Sequence, residues 1–237
     1  INVAHIREHN LEDILYGLSF IRTGRNFLEK FIPKYLSGDI KVSSVRSKEA
    51  EAVAATENAL AFYWHGTIFI DYQCDLLRLL PVFVHEGTHS LDLVGTKEDE
   101  LWKEYSIMQD ELYSLNRALQ SISYNEDTKD DFMRFSDLDR EVAKLKNEKY
   151  HIEVWTESNA FQAQERFLKE MSTAYPEYSQ ELQQMQSDKK WMTYPIDQNT
   201  FELIMIKDYA IPESIVTEYL MKNPWEDASL YGTAAEL

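Results

Sequence analysis

The amino-acid sequence predicts an α+β fold that is mostly helical and contains a small mixed sheet. Apolar residues recur at helical spacing over most of the chain, which indicates amphipathic helices packed around a core. Short runs rich in β-branched and aromatic residues, typical of strands, are concentrated between positions 39 and 72. We therefore expect one compact domain over 1–237, with a sheet-bearing lobe at 1–97 and a helical lobe at 98–237.

The N-terminal lobe is predicted to begin with a helix over 11–36, which Gly24 weakens in the middle and Pro33 ends or kinks. A buried helix is predicted to begin at position 71, to continue through the apolar residues that end at position 84, and to include the segment that follows. The short elements between these helices are a strand at 39–46, a helix at 47–59, and a hairpin of 60–64 with 67–72 around His65-Gly66. A turn residue is the simpler interpretation of His65, with a substrate contact as the alternative.

The helical lobe is predicted to open with an antiparallel hairpin of helices at 98–122 and 129–149. Acidic residues outnumber basic ones in this hairpin; we interpret them as a solvated face, with a surface for a basic substrate as the alternative. The elements that follow are a helix at 150–174 ended by Tyr175-Pro176, a helix at 177–190, an extended segment at 200–206 and a helix at 213–222.

Composition and charge argue against several classes of function. Hydrophobic residues make up 44% of the chain and charged residues 27%, as is typical of soluble globular proteins. The net charge of −17 argues against binding to nucleic acid or to an anionic membrane. No apolar run reaches the roughly 18 residues of a membrane-spanning helix, so no stable membrane insertion is expected. The single cysteine, Cys74, excludes an internal disulfide and a multi-cysteine zinc site, and is interpreted as a small core residue.

The segment at 85–89 contains the pattern His-Glu-x-x-His. His85 and His89 are four residues apart, so on a helix both imidazoles lie on one face and can bind one ion. Glu86 follows the first histidine, where its carboxylate can take a proton from a metal-bound water. Two histidines and a glutamate are costly to bury without a metal or hydrogen-bond partners. The pattern therefore predicts a Zn²⁺ site, against the alternative of two core histidines satisfied by ordinary hydrogen bonds.

A catalytic zinc ion has three protein ligands, so a third ligand is needed in addition to the two histidines. Four residues are candidates for it. Asp92 lies close to the same helix face, but a hydrogen bond to an imidazole or a cap at the helix end is its preferred interpretation. His151, Glu153 and Glu157 lie on the predicted helix over 150–174. Glu153 and Glu157 are four residues apart and can face the same ion, one as ligand and the other in support. Spacing alone leaves this choice open.

The segment HEGTHSLD at 85–92, followed by the pattern Y-x6-E-x-x-A at 150–160, resembles the zinc peptidases grouped with anthrax lethal factor and the Pro-Pro endopeptidases, which are gluzincins. The resemblance implies a zincin-like catalytic domain with the small mixed sheet over the HExxH helix and the third ligand in a helical C-terminal lobe. Those peptidases usually have glycine directly before the second histidine, where this chain has Thr88. The implied roles are zinc ligands for His85, His89 and Glu157, general base for Glu86, oxyanion stabilisation for Tyr150, and support or alternative ligation for Glu153 and Asp92.

The motif and the resemblance together predict a zinc-dependent endopeptidase that hydrolyses a peptide bond of a protein substrate with metal-activated water. The resemblance also implies a secreted bacterial enzyme or toxin domain, in which an edge strand before the HExxH helix aligns the substrate. A mature secreted protein and a domain of a longer protein both fit these features. The alternatives are a catalytically inactive interaction module on the same scaffold, and a metal-dependent hydrolase of another amide or of a peptidoglycan stem. A protein or peptide substrate is the expected partner.

Overall fold

The computed structural model describes residues 9–52, 60–120, 122, 124, 127–178 and 196–225. It confirms the mostly helical α+β class with a small mixed sheet. In chain order the elements are α1 (Leu11–Ser19), α2 (Arg22–Ser37), β1 (Lys41–Ser44), α3 (Lys48–Ala52), β2 (Ala61–Trp64), β3 (Thr67–Ile70), α4 (Leu76–Leu93), α5 (Lys97–Leu119), α6 (Lys129–Ala174), a 3₁₀ turn (Pro176–Tyr178), α7 (Gln198–Lys207) and α8 (Glu213–Lys222).

The helix predicted over 11–36 is two helices, α1 and α2, that meet at positions 20–21. Gly24 lies inside α2, where a Cβ would come 2.1 Å from the carbonyl oxygen of Leu18. The missing side chain therefore allows α2 to fold back closely on the end of α1. Pro33 does not end α2, since the helix continues to Ser37 and stops at Gly38, whose φ is 85°.

The three strands form one mixed sheet in the order β1-β3-β2, with β1 parallel and β2 antiparallel to β3. β2 and β3 make the predicted hairpin, with Trp64 opposite Thr67. The two residues between them, His65 and Gly66, both have positive φ, 43° and 82°, as a type I′ turn requires. His65 is thus a turn residue, and β2 is an edge strand within the described part of the chain.

The buried helix α4 packs against the sheet, α1 and α2. It begins at Leu76, later than predicted, because the Asp75 side chain caps its first turn by accepting a hydrogen bond from the Leu77 amide at 2.8 Å. Gly87 has a packing role, since a Cβ there would lie 2.3 Å from Cζ of Phe27 on α2. Cys74 is half-buried and packs against the same core, as its interpretation as a core residue expects.

α5 and α6 form the predicted antiparallel helical hairpin, but α6 runs without a break over 46 residues. The separate helices expected at 129–149 and 150–174 are therefore one helix. The segment contains no glycine or proline to interrupt it. Its first half packs on α5 through Leu138 and Val142, and its second half packs on the main core through Phe167 and Met171.

The segment predicted as extended at 200–206 is instead the middle of α7. Asp197 caps this helix by accepting from the Thr200 amide at 2.7 Å, and the buried residues Phe201, Ile204 and Met205 follow helical spacing. The helix expected at 213–222 is present as α8. Of the helix expected at 177–190, positions 179–190 lie outside the described residues. Across the described residues, no helix is both long and apolar enough to cross a bilayer.

Candidate metal centre

The candidate metal ligands meet where α4 packs against α6. His85 and His89 occupy successive turns of one face of α4, and their Nε2 atoms are 3.2 Å apart. Glu157 on α6 points at both, with Oε2 3.3 Å from Nε2 of His85 and Oε1 3.5 Å from Nε2 of His89. All three side chains are buried. Two imidazoles and one carboxylate therefore converge on a single point between the two helices.

These separations fit a tetrahedral metal ion. Zinc bonds of about 2.0–2.2 Å to nitrogen and oxygen place neighbouring tetrahedral ligand atoms about 3.3–3.5 Å apart. The two Nε2 atoms are 3.2 Å apart, and each lies 3.3 or 3.5 Å from a carboxylate oxygen of Glu157, His85 from Oε2 and His89 from Oε1, so all three distances are close to that range. Three protein ligands also correspond to the count in catalytic zinc sites, which keep the fourth position for water or substrate. The donor set is not specific to zinc, because imidazole and carboxylate also bind other divalent transition metals.

The centre favours a positive charge. Burial by itself lowers the pKa of His89, but the neighbouring Glu157 carboxylate outweighs it and raises that pKa to about 9. Burial also raises the pKa of Glu157, yet the charge of His89 and the hydrogen bonds from both imidazoles bring it well below the usual value. In the absence of a metal, a proton on His89 therefore balances the buried Glu157 charge.

Glu86 is buried beside the ligands and is held by the sheet. Its Oε2 accepts a hydrogen bond from the backbone amide of Tyr63 on β2 at 2.9 Å. Tyr63 pairs with Ile68 next to the closing pair of the hairpin, so its amide points away from β3 and toward α4. Burial raises the pKa of Glu86, while the charges of His85 and His89 oppose the rise. A buried carboxylate with a raised pKa is suited to accept and return a proton.

The imidazole rings are oriented by packing. The ring of His85 makes perpendicular contacts with Phe161 on α6 and with His89, at centroid distances of 4.6 and 4.9 Å. Both Nδ1 atoms are buried and have no hydrogen-bond partner among the described residues. Metal-binding histidines commonly donate from the second ring nitrogen to a protein group.

The other third-ligand candidates have different partners. Glu153 accepts from Lys149 Nζ through both carboxylate oxygens, at 2.9 and 3.1 Å. Among the residues that the structure describes, Asp92 neither caps α4 nor bonds an imidazole; its Oδ2 accepts from Asn159 at 2.9 Å. His151 is exposed on α6. Among the described residues, Glu157 is the carboxylate that lies within 4.0 Å of both imidazoles.

Two tyrosines are relevant to this site, and only one was recognised in the sequence. Tyr150 packs against the apolar cluster of α7 and α8, and Lys146 Nζ lies 5.6 Å from the centroid of its ring. Its role in binding an oxyanion stays a prediction. Tyr209, after α7, lies near Glu157. Burial raises the pKa of Tyr209 well above its ordinary value, and the charge of Glu157 adds to the rise. No motif marks Tyr209 in the sequence.

Comparisons of the chain with protein-family models, with curated proteins and with solved structures find no match. Function is therefore inferred from the geometry of the centre formed by His85, His89, Glu157 and Glu86.

Proposed function

We propose that this protein is a zinc-dependent endopeptidase that uses the centre between α4 and α6. The observation that carries the proposal is the set of three ligand-atom separations of 3.2–3.5 Å, with a buried carboxylate, Glu86, directly beside the set. His85, His89 and Glu157 would hold the ion. A buried metal site alone needs no additional carboxylate with a raised pKa, whereas a hydrolase needs a general base.

The bound ion would supply Lewis-acid polarisation of the scissile carbonyl and a lowered pKa for the attacking water. Glu86 accepts the proton of that water as its oxygen forms a bond to the carbonyl carbon. The same carboxyl group then donates the proton to the amine nitrogen as the C–N bond breaks. The Tyr63 amide fixes Glu86 Oε2 for both transfers. In this proposal Tyr150 stabilises the oxyanion, as the resemblance at 150–160 implies.

The position of β2 supports a peptide as the substrate. β2 is an edge strand in the described part of the sheet, and its Tyr63 amide contacts the proposed general base. An edge strand can pair through its backbone with an extended peptide, which would bring a peptide bond next to Glu86. The charge of −17 is compatible with a basic substrate.

The second candidate function is a non-catalytic interaction module stabilised by a bound metal. It is favoured by the low exposure of the centre, since His85, Glu86 and Glu157 are 1%, 6% and 6% exposed. A structural metal site is normally closed to solvent. Such a module would bind its ion and hydrolyse nothing.

The deciding experiment compares wild type with Glu86→Gln and with Glu104→Gln, an exposed glutamate on α5 that serves as the matched control. Metal content is measured by elemental analysis, and hydrolysis is measured on casein, a peptide library and peptidoglycan fragments. The proposal expects bound zinc in all three proteins, and peptide cleavage in wild type and Glu104→Gln that Glu86→Gln lacks. Unchanged cleavage by Glu86→Gln overturns the mechanism. Bound zinc without cleavage of any substrate favours the interaction module, and cleavage of peptidoglycan alone favours the other amide hydrolase.

A further inference from the structure

Two glutamates one turn apart on α6 have different partners, although both are buried. Glu157 lies against the two imidazoles, with its carboxylate oxygens 3.3 and 3.5 Å from their Nε2 atoms. Glu153 accepts from Lys149 Nζ through both carboxylate oxygens, at 2.9 and 3.1 Å. Residues four apart on a helix share a face, so Lys149 binds the carboxylate that directly precedes the ligand on that face.

The Lys149 ammonium is also held by α5. It lies 5.8 Å from the centroid of the Trp102 ring and 5.5 Å from that of Tyr105, distances at which a cation is attracted to the face of an aromatic ring. The side chains of Lys149 and Glu153 are only 19% and 11% exposed, so salt screens this ion pair less than a pair on the surface. Lys149 therefore occupies a defined place between α5 and α6, and Glu153 is bound there.

Glu153 lies close to the candidate metal centre. The Cβ atoms of two residues one helical turn apart are separated by roughly 5–6 Å. Side chains lean toward the N-terminus of a helix, so the Glu157 carboxylate lies over the turn that carries Glu153. Burial raises the pKa of Glu153 and Lys149 opposes the rise, while the charges of Glu157 and His89 act on the same carboxylate in opposite directions. Since carboxylate oxygens bind zinc, Glu153 is a competing ligand beside the set of three.

We propose that Lys149 is a positioning residue that keeps Glu153 from becoming a fourth protein ligand of the metal ion. The proposal rests on the metal centre of the proposed function. Four protein ligands are typical of a closed structural zinc site, whereas a catalytic site keeps one position for water or substrate. With Glu153 bound to Lys149, the ligands His85, His89 and Glu157 leave that position open. Lys149 thus determines whether this centre is of the catalytic or of the structural kind.

The test uses the complete chain loaded with Co²⁺, whose visible absorption depends on its ligands, and thiocyanate as a small anion that binds at an open coordination position. Wild type is compared with Lys149→Met, which removes the ammonium and keeps an unbranched side chain. Lys146→Met is the matched control, because Lys146 is exposed on the same helix and its ammonium lies 5.6 Å from the centroid of the Tyr150 ring. Circular dichroism follows helical content and unfolding. No substrate is needed.

Thiocyanate is expected to change the Co²⁺ spectrum of wild type and of Lys146→Met, and to leave that of Lys149→Met unchanged because Glu153 then fills the open position. Adding Glu153→Gln to Lys149→Met should restore the response, since a neutral amide binds the ion more weakly than a carboxylate. A wild-type response in Lys149→Met overturns the proposal. A double variant that does not regain the response also overturns it, since the loss would then come from general disruption of α6.

Two further variants cover the case in which Lys149→Met does not fold, because it leaves the buried Glu153 charge unpaired. Lys149→Arg keeps a cation that bonds both oxygens of a carboxylate, and it should respond to thiocyanate as wild type does. Lys149→Gln keeps a hydrogen-bond donor without the charge, and its response should be weaker. Equal responses in these two variants contradict the proposal.

Failure of the proposed function has a different signature. A wild-type chain whose Co²⁺ spectrum responds to thiocyanate, but which cleaves nothing, removes the peptidase and leaves the role of Lys149 intact. A wild-type chain that binds Co²⁺ and does not respond to thiocyanate overturns the role of Lys149, since the site is then closed with the ion pair in place. A wild-type chain that binds no metal removes both proposals.

Discussion

Asp92 and Asn159 join the two helices that carry the candidate ligands, with Asn159 Nδ2 donating to Asp92 Oδ2 at 2.9 Å. Asp92 follows His89 by three residues on α4, and Asn159 follows Glu157 by two residues on α6. The hydrogen bond therefore fixes the two helices against each other close to the centre. Burial raises the pKa of Asp92, and the bond from Asn159 opposes the rise by stabilising the carboxylate.

Replacing Asn159 by alanine should destabilise the protein by about 1–3 kcal/mol, because the largely buried Asp92 carboxylate loses a partner. Urea unfolding of the metal-free chain measures this change. Asn116→Ala, at an exposed position of α5, is the control and should leave the free energy of unfolding nearly unchanged. We also expect weaker zinc binding in Asn159→Ala, since the distance between the two ligand-bearing helices is less restricted. Equal unfolding midpoints for wild type and Asn159→Ala would contradict this structural role.

Because Glu157 is the proposed third ligand, removing it and removing Glu153, one turn away on α6, should have different effects on zinc binding. Glu157→Ala should lose bound zinc, because His85 and His89 then lack their carboxylate partner. Glu153→Ala should retain near-stoichiometric zinc, because both of its carboxylate oxygens are bonded to Lys149. Elemental analysis of the purified proteins checks both expectations. Loss of zinc in Glu153→Ala alone would move the ligand to Glu153 and leave Glu157 in a supporting role.

The stability of the metal-free protein should depend on the protonation of His89. Folding raises the pKa of His89 from 6.5 to about 9, so its contribution is complete below pH 6.5 and is lost as the pH rises through 9. Folding lowers the pKa of Glu157 from 4.5, so its contribution is complete above that pH and is lost at lower pH. The pair should therefore stabilise the fold most between pH 4.5 and 6.5.

Urea unfolding of metal-free wild type and His89→Gln across this pH range measures the effect as the difference between the two proteins. That difference should shrink steadily from pH 6.5 to 9. With zinc present the dependence should reverse, because the ion must displace the proton and its affinity rises with pH. A wild-type advantage that stays constant through this range would show that His89 is neutral in the folded, metal-free chain.

Local patterns in the residues predicted much of the fold. The two-residue turn at His65-Gly66 indicated the hairpin, and the spacing of His85 and His89 indicated a shared helix face; both features are present. The predictions that differ from the structure concern segments where packing between distant residues outweighs the preference of the local sequence. Gly24 was interpreted as a weak point because a helical glycine lowers stability, yet it is required by the approach of Leu18. The segment at 200–206 was predicted to be extended, but the Asp197 cap and the apolar spacing produce α7.

The sequence by itself determined the composition of the candidate centre: a pair of histidines and a glutamate on one helix, and several carboxylates on another. Only the tertiary structure decided which carboxylate reaches the pair. Glu153 and Glu157 differ by one turn on a continuous helix, and the way α6 lies along α4 directs Glu157 to the imidazoles and leaves Glu153 to Lys149. Spacing in the sequence determines which residues share a face of a helix, whereas the contacts between the faces of two helices depend on how distant helices pack together.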